Sequence, residues 1–308
     1  MESSMKSLSS DFSYYLKTFN LFLDRSTEHM CMQKFIDEKL PDVVASIGKE
    51  GSSSLNVLGV GSGSGKIDFE ILGKIKSKHP GLSIRNEVVE PNPEQLSSYK
   101  AERKHATGHD WRKPLAQIVL HTNLVMSVGL NTSFTWNHMS SEEYEKKAKE
   151  SHEIKQFDFI HMIQMLYYVE SVHDSIKYFH SLLETNGKLL IIIVSDDGGW
   201  HSLWETFGSR FPRSCLFLDV RKMLDDMRMK YKIYELSSDL DITEYFIEGN
   251  ENGELLLDFL TESLHFRKTA PTDLKAEVLQ YLRQPQCSRE ENGKIIFNNN
   301  LQAIVVNY

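Results

Sequence analysis

Leu55-Asn-Val-Leu-Gly-Val-Gly-Ser-Gly-Ser-Gly65 is an apolar run that breaks into alternating glycines. The run reads as a buried strand and the break as a turn whose backbone comes close to a ligand. Gly61, Gly63 and Gly65 take φ > 0 without penalty and carry no Cβ to hold a ligand away. Ile67, Ile71, Leu72 and Ile75 then recur at helical spacing through Lys66–Lys78, so the turn opens a helix. Strand, glycine turn and helix N-terminus together make a nucleotide site. Further on, Asn86-Glu-Val-Val-Glu90 is a second strand, and it ends in a carboxylate able to hold ribose hydroxyls.

The spacing of the glycines narrows the nucleotide. A phosphate-gripping P-loop needs Gly five residues before the Gly-Lys pair and Ser or Thr after it. Val60 and Ile67 occupy those positions, which argues against an NTPase. A nicotinamide site wants Gly-x-Gly-x-x-Gly, whereas this chain has Gly-x-Gly-x-Gly followed by Lys66. The alternating form is common where S-adenosylmethionine binds, since no pyrophosphate has to be seated. A glycine-rich turn with no ligand is the bland alternative.

Composition sets wider bounds. A chain of 308 residues makes one large domain, or a core domain with an elaborated cap. Its net charge of −8 and scattered basic residues argue against a nucleic-acid partner, which would want a basic face. Cys31, Cys215 and Cys287 are too few and too far apart for a disulfide framework or a CxxC zinc site, and the twelve histidines show no HExxH pairing, so no metal is expected. The N-terminus shows no signal peptide, and the longest apolar run, Leu189–Val194, is far short of a membrane span. The reading is a reduced, cytoplasmic, monomeric protein with no membrane partner.

Strand and helix alternate through the middle of the chain. Strands are expected at Leu55–Val60, Ser83–Glu90, Phe134–Asn137, Phe157–Gln164 and Lys188–Val194, the last preceded by an Asn186-Gly187 turn. Helices fall at Lys66–Lys78, Ser141–Glu150 and Val172–Leu183. This alternation implies an α/β fold, a parallel sheet with helices on both faces. Runs such as Leu-Leu-Ile-Ile-Ile-Val are what strands buried on both sides look like. Outside the pattern lie an aromatic stripe, Phe12, Tyr15, Phe19 and Phe22, and the aromatic-rich region Trp200–Phe266. Gly293–Tyr308 reads as a closing hairpin or paired strand, and Ala101–Asn131 as an exposed insertion.

With Phe157-Asp-Phe-Ile-His-Met-Ile-Gln-Met-Leu-Tyr-Tyr-Val169 set beside the glycine turn, the chain resembles the histamine N-methyltransferase family. Ser26-Thr-Glu-His29, Val89-Glu-Pro91, Gly198-Gly-Trp200, Gly208-Ser-Arg-Phe-Pro212, Asp258-Phe-Leu-Thr-Glu262 and Phe297-Asn-Asn299 carry the resemblance over nearly the whole chain. It implies a Rossmann-like class I S-adenosylmethionine methyltransferase sheet with a smaller, mostly helical substrate-binding cap. The core would span about 40–199 plus 230–238 and 293–308, and the cap about 1–39, 200–229 and 239–292.

The resemblance further implies that Gly61, Glu90, Gln95, Ser141 and Ile163 contact S-adenosylmethionine, the methyl donor. For Ser141 a plain helix N-cap, ahead of Glu142 and Glu143, is a compatible reading. Glu28, Gln164 and Asn299 would position a small imidazole amine, with no residue acting as a strong base. Glu28 as an exposed helix carboxylate is the alternative. Gln164 is the more telling, because a polar amide ending an apolar strand usually faces a site at the strand's C-terminal end. Tyr15, Phe19, Phe22, Tyr167, Tyr168, Trp200, Trp204, Phe211 and Phe259 would line the pocket, where aromatic faces favour a sulfonium and an ammonium. Without the resemblance the Phe12–Phe22 stripe reads as core packing.

Departures from the family concern the cap. Ser9 stands where the histamine enzymes carry a bulky aromatic, Leu264 replaces a pocket cysteine, and the segment after Pro212 is shortened. Room at the pocket mouth favours a larger acceptor, carnosine, over histamine, with Arg210 and Arg213 as candidates to meet its carboxylate. Histamine is the alternative. From other classes, a nicotinamide-dependent oxidoreductase and a catalytically silent S-adenosylmethionine-binding protein remain.

Overall fold

A computed structural model describes residues 5–106, 131–151, 155–212 and 219–308. Arg213, Cys215 and most of the Ala101–Asn131 stretch lie outside them. The chain divides into two compact units, one of Lys34–Ile193, Val220–Tyr234 and Ala303–Tyr308, the other of Met1–Gln33, Val194–Asp219 and Glu235–Gln302.

The first unit carries a seven-stranded sheet. In chain order its strands are β1 (Ser54–Val60), β2 (Ser83–Val89), β3 (Thr132–Asn137), β4 (Phe157–Ile163), β5 (Leu183–Val194), β6 (Tyr231–Leu236) and β7 (Leu301–Asn307). They lie side by side as β3-β2-β1-β4-β5-β7-β6. The first five pair in parallel. Strand β7 runs against β5: Ser195, just past one end of β5, donates to the Asn300 carbonyl, while Tyr308 donates to that of Gly187 near the other end. The α/β sheet expected from the alternation is therefore present.

The chain enters at the middle of this sheet, winds one way through β2 and β3, and then the other way through β4 and β5. In open α/β sheets the ligand crevice lies where the winding reverses, outside the carboxyl ends of the strands. Val60 is in register with both Val89 and Met162, so the residues that follow leave the sheet at one edge. Those residues are Gly61, Glu90 and, one position later in its own strand, Gln164.

Local chemistry accounts for the boundaries. Leu55, Val57, Leu58 and Val60 are buried, as a strand covered on both faces requires. The helix Lys66–Lys78 occupies the span that its periodicity predicts. Strand β5 begins earlier than expected, at Leu183, because Asn186 (φ 72°) and Gly187 are absorbed as an irregularity between Phe157 and Phe159 of β4 instead of ending the strand. Val220–Asp226, read from sequence as cap, belongs to the sheet unit and packs on the helix Val172–Ser181.

The second unit is mainly helical, with Phe12–Arg25, Gly199–Phe207, Glu251–Leu260 and Thr272–Leu282 as its longer helices within one unit. Asp11 caps the first by accepting from the Tyr14 N–H. Three short antiparallel strands join them, Ser288–Glu291, Lys294–Asn298 and Asp239–Asp241. The hairpin expected in Gly293–Tyr308 thus pairs backwards, turning at Asn292-Gly293 with both residues at positive φ, while Leu301–Asn307 is a sheet strand. The core of this unit is built on Leu203, Tyr245, Leu256, Leu260, Phe266 and Phe297. No helix among the described residues is long and apolar enough to cross a membrane.

Candidate functional site

In the sheet unit the site is built around Glu90, the residue immediately after β2 and only 6% exposed. One carboxylate oxygen accepts from the Gly63 N–H at 2.7 Å, the other from the Asn92 N–H at 2.8 Å. Burial pushes this carboxyl above its ordinary range, and the two N–H bonds pull it back only in part. Each oxygen accepts one backbone bond, so each keeps a lone-pair direction for a vicinal hydroxyl pair. Gly61 donates to the Val89 carbonyl at 2.8 Å, which folds the turn over the end of β2. Gly63 sits at φ 55°, and a Cβ placed there would meet nothing within 4 Å, so the turn opens onto free space on this side.

Asn92 accepts from the N–H groups of Glu94 and Gln95, an N-cap directly before Pro93, which opens the helix Pro93–Ala106. Gln95 is thereby fixed in the first turn and half-buried. Ser141 is buried and opens the helix Ser141–Ser151, yet the cap is its neighbour. Ser140 Oγ accepts from Glu143 N–H, and Glu143 accepts from Ser140 N–H, a reciprocal capping box. The Ser141 hydroxyl bonds Glu142 instead, so the N-cap reading passes from Ser141 to Ser140.

Ile163 ends β4 half-buried. Gln164 follows in the left-handed region at φ 51°, an unusual conformation for a side chain other than Asn, Asp or Gly, and its N–H is held by the Ile192 carbonyl. Its Oε1 accepts from the Tyr167 hydroxyl at 3.1 Å. Tyr168 turns its ring edge to Tyr167 and is 49% exposed.

The second unit gathers the other group. Glu28, at the start of the helix Glu28–Glu38, is 5% exposed and Asn299 is fully buried. Asn299 Nδ2 reaches Glu28 Oε2 at 3.3 Å and Ser238 Oγ at 2.8 Å, and its Oδ1 accepts from Trp200 Nε1 at 2.6 Å. A buried carboxylate beside an indole and an amide suits an ammonium ligand. The exposed-carboxylate alternative for Glu28 fails on its burial. Phe22, Phe259 and Trp200 meet with centroids 4.7–6.2 Å apart, and Phe19 and Tyr15 continue the row outward, both half-buried. Trp204 and Phe211 pack on each other at 5.0 Å. Together with Phe22 and Phe259 they belong to the unit's hydrophobic core.

Two residues here are given no role by the sequence reading. Ser238, 1% exposed, brackets Asn299, and nothing in the Ser237-Ser238-Asp239 run marks it. Asp258 accepts from the Tyr14 hydroxyl and from the N–H groups of His265 and Phe266, tying the aromatic helix Phe12–Arg25 to the turn after Phe259. Arg210, a candidate partner for a substrate carboxylate, is engaged by Asp273 and Glu277. Among the described residues no group of His, Cys, Asp and Glu is placed to hold a metal ion.

The profile of a family described as "Methyltransferase domain" matches residues 32–227. The chain is 47% identical to the histamine N-methyltransferase of Xenopus tropicalis, 48% to that of Danio rerio and 46% to that of Bos taurus, each across 99% of both chains.

Proposed function

The chain belongs to the histamine N-methyltransferase family and is an S-adenosylmethionine-dependent methyltransferase, and we propose from that premise that it methylates a ring nitrogen of histamine. The observation that carries the reading is the likeness to histamine N-methyltransferases across the whole chain. The larger acceptor favoured by Ser9 and Leu264, carnosine, gives way to the histamine alternative on that likeness. Of the two arginines considered for its carboxylate, Arg210 is held by two acidic side chains, and Arg213 lies outside the described residues.

The residues at the end of β2 fit the donor. Glu90 has acceptor capacity for two ribose hydroxyls, and the turn opens onto free space at Gly63. When bound, S-adenosylmethionine supplies a methyl group on a sulfonium centre. Gly61, Gln95, Ser141 and Ile163 complete its contacts in this reading. Glu28 holds the ammonium of the amine, and Phe22, Phe259 and Trp200 give it aromatic surface. The family resemblance assigns the orientation of the imidazole to Gln164 and Asn299. Tyr15, Phe19, Tyr167, Tyr168, Trp204 and Phe211 supply the remaining apolar walls.

No strong base is required. Imidazole has an unperturbed pKa of about 6.5, so most of it is neutral at pH 7. Holding nucleophile, carbon and sulfur in line supplies most of the acceleration, for which ~7–11 kcal/mol is available. Incubation with methyl-labelled S-adenosylmethionine and histamine, carnosine or homocarnosine tests the assignment. Label should pass to histamine with the highest kcat/KM. Faster turnover of carnosine overturns the substrate, and cofactor binding without transfer to any imidazole overturns catalysis. Glu28→Gln should raise KM for histamine, and an unchanged kcat/KM removes its role.

A further inference from the structure

We propose that Ser238 is a positioning residue for the methyl acceptor: by fixing the amide of Asn299 it sets the places of the Glu28 carboxylate and the Trp200 indole. The inference rests on reading Glu28 as the group that holds the substrate ammonium.

Asn299 is fully buried, so no bulk water completes its bonding. Its two Nδ2 hydrogens go to Ser238 Oγ at 2.8 Å and Glu28 Oε2 at 3.3 Å, and Oδ1 accepts from Trp200 Nε1 at 2.6 Å. The short bonds are those to Ser238 and Trp200. They decide where the amide lies, and the longer one leads from it to the carboxylate. Turned over, the amide would set its NH2 against the indole N–H and its oxygen against a carboxylate. The orientation is therefore unique. Both donors are consumed within the protein, so Asn299 offers a bound molecule only its oxygen, and it acts chiefly as the brace between Glu28 and Trp200.

Ser238 is built to hold that brace. Its carbonyl accepts from Asn299 N–H at 3.0 Å, and its own N–H donates to Asn300 Oδ1 at 3.0 Å. Its hydroxyl also accepts from that of Thr27 at 3.5 Å, and the Thr27 carbonyl accepts from the Cys31 N–H of the Glu28 helix at 3.0 Å. Ser238 thus ties the start of the Glu28 helix to Asn299. Replacing it with Ala leaves the two backbone bonds and removes only Oγ. One buried N–H of Asn299 then has no acceptor, and the amide is drawn toward Glu28.

Steady-state kinetics of the full-length enzyme test this. Ser238→Ala should raise KM for histamine about tenfold and leave KM for S-adenosylmethionine within about twofold, since only the acceptor group is disturbed. Ser238→Thr, which keeps an acceptor oxygen, should recover most of the loss. In an Asn299→Ala background Ser238→Ala should add nothing. An amine KM that stays put in Ser238→Ala, or losses that multiply in the double variant, overturns the proposal. Should Ser238→Ala fail to fold, Ser238→Cys, similar in size with a poor acceptor, makes the same comparison. A readout independent of the substrate is the indole 1H–15N resonance of Trp200, assigned with Trp200→Phe. It should move in Ser238→Ala and return in Ser238→Thr, and an unmoved resonance overturns the proposal. A wild-type enzyme that fails to methylate histamine would refute the substrate reading alone, and the indole resonance would still decide the role of Ser238.

Discussion

Glu90→Gln isolates the contribution of one carboxylate to cofactor binding. In the native chain each oxygen accepts from a backbone N–H, Gly63 at 2.7 Å and Asn92 at 2.8 Å. Bonds of this kind to a charged group contribute ~1.5–3 kcal/mol each. Glutamine keeps one acceptor oxygen and turns its NH2 toward the other N–H, so one bond is lost, a buried donor is stranded and the remaining bond loses its charge. One of the two positions left for ribose hydroxyls changes from acceptor to donor as well. The lost backbone bond lowers stability, while the altered ribose position should weaken binding by ~1.5–3 kcal/mol, a factor of ~10–150 in Kd. Isothermal titration with S-adenosylhomocysteine measures this directly, and a thermal melt separates it from unfolding. Glu87→Gln is the control: that carboxylate bonds Asn137, Tyr144 and Lys155 inside the sheet unit, so its loss should cost stability and leave affinity nearly intact. An affinity for Glu90→Gln within about threefold of wild type would refute the argument, since even one lost charged bond predicts more.

Four further outcomes follow from the environments of single residues. Glu70 is 4% exposed with Oε2 unbonded, and burial pushes its carboxyl up to about 7 from the ordinary 4.5. The folded chain therefore holds a proton that the unfolded chain releases, and stability falls as pH rises through that window. Glu70→Gln should match wild type near pH 4.5 and exceed it by ~1–3 kcal/mol at pH 8 in urea melts, with an equal gap at both pH values counting against the assignment. Gly65→Ala should cost ~2–4 kcal/mol in thermal denaturation, because φ is 78° and the new Cβ strikes the Tyr99 ring. Gly63→Ala, with open space before it, should cost only about 1 kcal/mol of strain while weakening cofactor binding. Burial pushes the thiols of Cys31 and Cys287 up to about 12. In a Cys215→Ser background iodoacetamide at pH 8 should leave the folded protein unlabelled by mass spectrometry, and rapid labelling of either would contradict their burial.

The sheet was legible where local rules act alone. The helix Lys66–Lys78 is bounded by a glycine turn and a run of apolar residues at helical spacing, and both signals are short-range. Asn186-Gly187 misled because the pair marks a turn in most contexts, whereas here neighbouring strands on both sides carry β5 past it. Two serines before two glutamates left the cap of Ser141–Ser151 ambiguous, and only the reciprocal bonds of Ser140 and Glu143 resolve it. The aromatic stripe from Phe12 to Phe22 contains both kinds of residue that helical spacing cannot tell apart. Phe22 is core, while Tyr15 and Phe19 keep part of their rings in contact with solvent. Ser238 was out of reach altogether. Its bond to Asn299 spans 61 positions, and no periodicity connects residues that far apart.

Neither compact unit is a continuous length of chain. The polypeptide passes from one to the other five times, and the helix Glu28–Glu38 and strands β5, β6 and β7 each have residues in both. A recombination event that exchanged one contiguous block of the gene would cut a strand or helix in two. Inheritance of a new acceptor preference in such a lineage therefore proceeds by substitutions at single positions within shared elements, and not by the shuffling of a module. For engineering, the corresponding unit of exchange is a bracketed side chain such as Asn299, together with the residues that hold it.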